Sequence, residues 1–328
     1  MLSEAELRDL TFSQRAARLA MAGVATGVFE AIADTPRTSA EVAAACGLAL
    51  RGAAALLEAL AALGILERCG DAYLASEAAR SVFCEKGVAS RRHTVLHDLW
   101  HTGLWARLEE SLVSGAPLAD RSRDPFFTRP DVLTRFYPNL ARAMAETSRE
   151  EAQELAAALA LPQRARVLDL AGGMGNFACA IAQAHPDADV VLFDLPPVIA
   201  EAGRAPAARV RMQAGDFTRD PLDAAGAGFD RVILSRVLMG LGDPRAVDLL
   251  RRVRAVLRPG GVVDVCELRR GAGAAGRVAA LLDVDMLLLT GGAVRTSEEL
   301  RALLAAAGLR AGAPLSLGHL MLRIEGRP

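Results

Sequence analysis

Three aspartates mark the ends of three apolar, β-branched runs, and glycines follow the first of them. Asp169 lies in "VLDLAGGMGNFA" (167–178), three residues before Gly172 and close to Gly173 and Gly175. Asp194 closes "VVLFD", and Asp216 stands between Gly215 and Phe217 in "GDF". A glycine turn bares main chain to a ligand that a side chain would keep away. A carboxylate ending the next strand can accept hydrogen bonds from both ribose hydroxyls. Asp216 and Phe217 suit the flank of an adenine. This is chemistry for holding a nucleoside-containing cofactor, and two such cofactors compete. Gly173-x-Gly175-x-x-Ala178 fits the permissive dinucleotide pattern, but that pattern alone is weak. A pyrophosphate prefers a helix N-terminus free of negative charge, whereas Asp169 suits a cation. S-adenosylmethionine, with its α-amino group and sulfonium, fits the acidic setting better than NAD.

A second constellation is His93, His97 and His101, spaced four apart in "RRHTVLHDLWHTGLW". Helical spacing puts them on one face. Metal ligation by such a row would need a carboxylate partner that the pattern does not supply, so no metal is expected.

The elements that must position these residues follow from periodicity. "ARVLDLAG", "ADVVLFDL", "VRMQAGD", "FDRVILSRVL" and "GGVVDVCELR" alternate with helical stretches, which predicts an α/β, doubly wound, Rossmann-like, mainly parallel sheet. "PLSLGHLMLRIEG" adds an edge hairpin. Residues 1–90 predict short helices, with a capping box at Thr38 and Glu41 and two short strands turning at Gly70-Asp71. Helix, helix, hairpin is a winged-helix pattern. Residues 1–80 carry 10 acidic and 7 basic side chains, and the second helix is mostly Ala and Leu, which favours dimerisation over reading DNA. Residues 91–160 read as helical, with a loop around "SGAPLADRSRDPFFTRPD". The expected division is 1–90, a dimerisation domain; 91–160, linker and substrate-pocket helices; and 161–328, the cofactor-binding domain.

Composition narrows the class. With 52% hydrophobic and 23% charged residues over 328 positions, the chain can bury a large core. A net charge of −1 excludes a dedicated nucleic-acid or anionic-membrane surface. Five scattered cysteines without a C-x-x-C read as reduced thiols, the N-terminus is no signal peptide, and no apolar run is long enough to span a bilayer. A cytoplasmic location is expected.

In combination, "VLDLAGGMGNFACAIAQAHPDADVVLFDLPPVI", "GDF", "FDRVILSRVL", "LRPGGVVDVCE" and "DVDMLLLTGGAVRTSEELRALLAAAGL" resemble the plant-type and bacterial small-molecule O-methyltransferase family, relatives of acetylserotonin and caffeate O-methyltransferases. The segment "TSAEVAAACGL…LLEALAALGILE" resembles that family's winged-helix dimerisation domain. The resemblance implies an S-adenosylmethionine-dependent homodimer acting on a small molecule. It implies that Asp169 and the glycines hold the cofactor's methionine end, and that Asp194, with Leu195 beside it, holds the ribose. Gly215, Asp216 and Phe217 would flank the adenine, with Ser235 and Arg236 on the other side.

The same resemblance exposes a departure. The family's loop after the fourth strand usually reads like S-R-V-L-H-D-W-D-D, with a histidine that deprotonates the substrate and two glutamates that hold it. Here the frame is Ser235-Arg236-Val237-Leu238-Met239-Gly240-Leu241-Gly242-Asp243. Met239 replaces the histidine, Val294 replaces one glutamate, and Glu267 retains the other. Glu267, Met239 and Arg236 are therefore the expected reaction-centre residues, with Glu267 either a base or a structural carboxylate paired with Arg236 or Arg269. Met239, Met144, Met286, His97, Trp100 and His101 are expected to touch the acceptor, and Trp105, Phe126, Phe127, Phe136, Tyr137 and Leu289 could line an apolar pocket. C- or N-methylation, or O-methylation driven by proximity, is expected on an apolar, aromatic or polyketide-like metabolite. The alternatives are cofactor-supported hydroxylation or cyclisation, an NAD enzyme, and a DNA-binding regulator.

Overall fold

The computed structural model describes residues 2–118, 132–203 and 209–328. Two compact units part between Thr102 and Gly103. The first contains α1 (Glu4–Ala25), α2 (Val28–Ala31), β1 (Arg37–Thr38), α3 (Ser39–Cys46), α4 (Leu50–Ala62), β2 (Leu66–Cys69), β3 (Ala72–Ala75), α5 (Glu77–Phe83) and most of α6 (Arg92–Trp105). Thr38 caps α3 through the predicted box with Glu41, and Gly47 closes it at φ +65°. The hairpin β2–β3 forms where Gly70-Asp71 predicts it, and β1 adds a third strand in the order β1-β3-β2. Its core gathers Val28, Phe29, Ile32, Val42, Leu57 and Leu60, all essentially inaccessible. One expectation needs correcting: the unit opens on a 22-residue helix rather than a short one, with Ser3 and Glu6 forming its capping box. The chain passes to the second unit inside α6.

The second unit holds α7 (Leu108–Ser114), a π-helical turn (Val132–Phe136), α8 (Tyr137–Glu146) and α9 (Arg149–Ala158), and then the α/β part. There, β4 (Arg166–Leu170), α10 (Asn176–Ala184), β5 (Asp189–Asp194), α11 (Pro196–Ala202), β6 (Val210–Ala214), β7 (Phe229–Ser235), α12 (Asp243–Val256) and β8 (Leu257–Leu268) follow in turn. The chain ends with α13 (Gly273–Leu289), α14 (Ser297–Ala306), β9 (Arg310–Ala311), β10 (Leu315–Leu317) and β11 (Met321–Arg327). The strand order is β10-β11-β8-β7-β4-β5-β6. The five strands from β8 to β6 are parallel, while β11 pairs antiparallel with β8 and the edge strand β10 antiparallel with β11, the hairpin that the terminal "PLSLGHLMLRIEG" predicts.

Alternation builds a core on each face of this sheet. On β5, Val191 and Phe193 join the cluster with α12 and α14, while Val190 and Leu192 join the one with α9 and α10. From β4 the chain moves outward through β5 and β6, then crosses back to β7 and β8. The reversal between β4 and β7 is where open α/β sheets leave a crevice at their carboxyl ends.

A buried ion network locks β7, β8 and β11 beneath that crevice. Asp264 is inaccessible and accepts from Arg231 at 3.1 Å and from Arg323 at 2.6 Å, and Glu325 bridges the same two guanidinium groups. Removing the central carboxylate leaves two buried cations competing for one partner. Asp264→Ala should lower the unfolding free energy by roughly 3–5 kcal/mol, read from the midpoint and slope of urea denaturation. A loss below about 1 kcal/mol would show that the network relaxes into solvent.

Candidate active site

The glycine turn begins where β4 stops. Ala171 adopts φ +56° and donates its N–H to the Phe193 carbonyl, and Gly173 and Gly175 follow at φ +60° and +80°, the second leading directly into α10. Those two positions require glycine for backbone reasons. Gly172 requires it for another: a Cβ there would meet the Asp169 carboxyl and a Leu192 methyl at 2.5 Å. Its role is thus first to let the turn close over its own aspartate, which the sequence alone did not reveal.

The buried carboxylate of Asp169 and the half-buried one of Asp194 lie under this turn. Asp169 Oδ2 accepts the Ala178 N–H at 3.0 Å, while its Oδ1 is buried and accepts no hydrogen bond from the described residues. Asp194 Oδ2 accepts the Gly173 N–H at 2.8 Å and its Oδ1 the Leu195 N–H at 2.7 Å, tying the end of β5 to the turn after β4. Burial pushes Asp169 up to about 7, reinforced by the charge of Asp194. Burial likewise pushes Asp194 up to about 6, with Asp216 adding to the effect. Asp216 sits just beyond β6. Its Oδ1 accepts from the Thr218 N–H and hydroxyl, and its own N–H donates to Asp220. Gly215 admits no side chain because the Phe193 ring occupies the space, and Phe217 packs against the adjoining core. An orphaned, buried carboxylate oxygen in an acidic cleft fits a ligand that brings positive charge and fits a pyrophosphate badly.

The other lip is the loop after β7. Ser235 ends that strand. Arg236 adopts φ +55°, donates its backbone N–H to the Cys266 carbonyl, and reaches Thr147 Oγ1 and the Met144 carbonyl at the end of α8. Met239, in a short 3-10 turn (Leu238–Gly240), is 8% exposed. It shares an apolar cluster with Val294, Cys266, Leu268 and Met286. Glu267, inaccessible at the end of β8, accepts the Leu238 N–H at 2.7 Å and the Met239 N–H at 3.3 Å, both on Oε1. Burial pushes its carboxyl up to about 7 against those two hydrogen bonds. The expected pairing of Glu267 with Arg269 does not form; Arg269 turns to Ser316 and the His319 carbonyl.

The expected acceptor residues divide. Met286, on α13, packs into the Met239 cluster, and the carbonyl of Met144 anchors Arg236. Leu289 is buried, and the Phe136 and Tyr137 rings meet edge to face at 5.4 Å. Trp105 donates its indole N–H to Asp285 on α13 at 2.7 Å, and burial raises that carboxyl. His97, Trp100 and His101 belong to the first unit, where the two imidazoles stack edgewise at 4.2 Å and Trp100 is 41% exposed. Phe126 and Phe127 lie outside the described residues. Sequence reasoning passed over Arg295 and Asp285. The only available signals were a lone arginine after "GGAV" and an acid interrupting an apolar helix.

Similarity to known proteins agrees with this geometry. Residues 126–310 match the sequence model of an O-methyltransferase domain. The chain is 34% identical to acetylserotonin O-methyltransferase of Mus musculus molossinus, over 98% of this chain and 88% of the relative. It is 31% identical to the mitomycin biosynthesis 6-O-methyltransferase of Streptomyces lavendulae, over 98% and 93%. Among solved structures, human N-acetylserotonin methyltransferase in complex with S-adenosylmethionine superposes with a TM-score of 0.83 over 99% of this chain and 98% of that one, a likeness of fold at 24% identity. The chain belongs to the O-methyltransferase domain family and is an S-adenosylmethionine-dependent methyltransferase.

Proposed function

We propose that this methyltransferase acts on a small, largely apolar metabolite, aromatic or polyketide-like, and alkylates a carbon, a nitrogen or an already ionised oxygen. The observation that carries the reading is Met239, buried against Val294 where the resemblance calls for a histidine and its glutamate. No imidazole stands there to take a proton from a neutral hydroxyl. S-adenosylmethionine, when bound, supplies an electrophilic methyl group on a sulfonium. Asp169, the glycine turn, Asp194 with Leu195, Gly215, Asp216, Phe217 and Ser235 are the residues we assign to holding it. The protein's main task is then alignment. Orientation contributes about 7–11 kcal/mol in favourable systems, against roughly 3–5 kcal/mol for the 10²–10⁴-fold of a positioned base. A scaffold that keeps the first and loses the second remains a catalyst for nucleophiles that need little deprotonation.

The buried carboxylates set a pH dependence for cofactor binding. A cation favours their ionised forms, and ionisation occurs through about 6 for Asp194 and about 7 for Asp169. Binding below those values must expel protons, so affinity for S-adenosylmethionine should rise between about pH 5 and pH 7.5. Calorimetry in buffers of different ionisation heat should register proton release, and Asp194→Asn should flatten the slope and weaken binding by about tenfold. A pH-independent affinity would remove the electrostatic basis of the assignment.

Methyl transfer is tested with methyl-labelled S-adenosylmethionine and a panel of aromatic polyketides carrying phenol, amine and activated-carbon positions. Label should appear in product in step with S-adenosylhomocysteine, at carbon, nitrogen or an acidic hydroxyl. Intact cofactor after turnover would replace this reading with cofactor-supported chemistry. In the same assay Glu267→Gln, which keeps an acceptor oxygen for the two backbone N–H groups, should lower kcat by less than about tenfold. A loss of about 100-fold or more, the size of a positioned base, would instead make Glu267 the proton acceptor.

We also assign the chain a homodimeric state. Leu2, Leu7, Leu10 and Phe12 are 51–62% exposed along the start of the chain and α1, apolar side chains on more than one face of the helix that a second copy can cover. Light scattering should give twice the 34.5 kDa chain mass, and Leu10→Asp with Phe12→Asp should give the single mass. A wild-type monomer at micromolar concentration would refute the assignment.

A further inference from the structure

Arg295 is almost fully buried, 5% exposed, in the segment between α13 and α14, yet none of its main contacts is to a neighbour on either helix. Its Nη1 donates to the Leu238 carbonyl at 2.7 Å and its Nη2 to the Leu241 carbonyl at 2.6 Å. Nε and Nη2 also reach Asp243 Oδ1, at 3.0 and 2.7 Å. The fork therefore spans the loop after β7 from the residue before Met239 to the first residue of α12. From the opposite side Glu267 holds the N–H groups of Leu238 and Met239. Gly292 closes the back of the loop: a Cβ there would collide with the Met239 carbonyl and meet the Leu241 nitrogen at 2.9 Å.

Leu238 is thus gripped at both ends of its backbone, its N–H by a carboxylate and its carbonyl by a guanidinium, in a site closed to water. Such charge-assisted bonds are the strong ones, and losing one leaves a buried carbonyl unsatisfied. A lysine cannot replace the fork, because one ammonium cannot span carbonyls three residues apart with planar geometry. The outer contact differs in kind. The Asp243 side chain is 73% exposed, so that leg of the fork is screened and weak.

We propose that Arg295 is a positioning residue for methyl transfer, which with Glu267 and Gly292 fixes the backbone of Met239 and so the place of the side chain facing the acceptor. The proposal rests on the reading above that position 239 borders the reaction centre. Arg295 itself touches no reacting atom. What it determines is where the residue at 239 points, whatever that residue is.

The place of Met239 can be read without knowing the acceptor. The protein, full length with S-adenosylhomocysteine bound, carries eight methionines, and methyl-13C labelling reports each, with Met239 assigned by the line lost in Met239→Leu. Arg295→Leu, which keeps the methionine count at eight, should shift and broaden the Met239 line toward the free-methionine position, while the Met174 line and S-adenosylhomocysteine affinity change little, the latter by less than about twofold. Arg295→Lys should fall between, and Asp243→Asn should leave the line in place. An unmoved Met239 line in folded Arg295→Leu overturns the proposal. Should that variant fail to fold, Gly292→Ala decides: it displaces the same loop from behind with Arg295 intact, and an unmoved Met239 line in it equally overturns the proposal. Failure of methyl transfer in the labelled-cofactor assay, by contrast, would sink the functional reading and leave this measurement standing.

Discussion

The rest of the site depends on the hydrogen bond from the Gly173 N–H to Asp194 Oδ2, which joins the turn after β4 to the end of β5 over the buried Asp169. Each acid spends part of its hydrogen-bonding capacity on the main chain, Asp194 on Gly173 and Leu195, Asp169 on Ala178. What remains is negative charge in a low-dielectric place, and the raised carboxyls of both residues register its cost. Under the proposed assignment a cationic ligand offsets that cost on binding.

The opposing lip is constructed on another principle. Around Met239 the buried charges act on the main chain, Glu267 on N–H groups and Arg295 on carbonyls with one outer leg to the exposed Asp243, while the apolar side chains gathered there are Met239, Val294, Met286 and Leu268. One side of the cleft is acid and polar, and the other is an apolar surface on a rigid backbone. A sulfonium and an apolar acceptor would each meet the wall suited to it. On the proposed function, alignment of the reactants would rest on these backbone contacts, which do not depend on the identity of residue 239.

What the sequence made legible was whatever local periodicity or local geometry specifies. The five parallel strands, the Thr38 capping box, the hairpin at Gly70-Asp71 and the edge hairpin at the end each depend on neighbours a few residues away. The three strand-end aspartates were legible for the same reason, since a parallel strand must end facing the crevice. The length of α1 was hidden because Leu7, Leu10 and Phe12 in its first turns do not fall on one helical face. Arg295 was hidden because its partners, Leu238 and Leu241, lie 57 and 54 positions away and are main-chain atoms, which leave no trace in residue type. Gly172 was legible as glycine but not for its reason, which lies in the Asp169 and Leu192 side chains beneath it.

The retention of Glu267 beside Met239 and Val294 follows from that difference between side-chain and main-chain partners. A glutamate whose only work is to orient an imidazole has no use once the imidazole is gone. Here its Oε1 satisfies two buried N–H groups of the loop, and an apolar replacement would leave both without acceptors, each costing about 1–3 kcal/mol. Val294 has no such side-chain obligation: its backbone N–H is satisfied by Asp283, and its side chain simply fills the cluster with Met239. Position 294 can therefore change together with 239 at the cost of packing alone, whereas position 267 cannot. Those two hydrogen bonds give the backbone a use for a carboxylate at 267 whether or not a proton moves there.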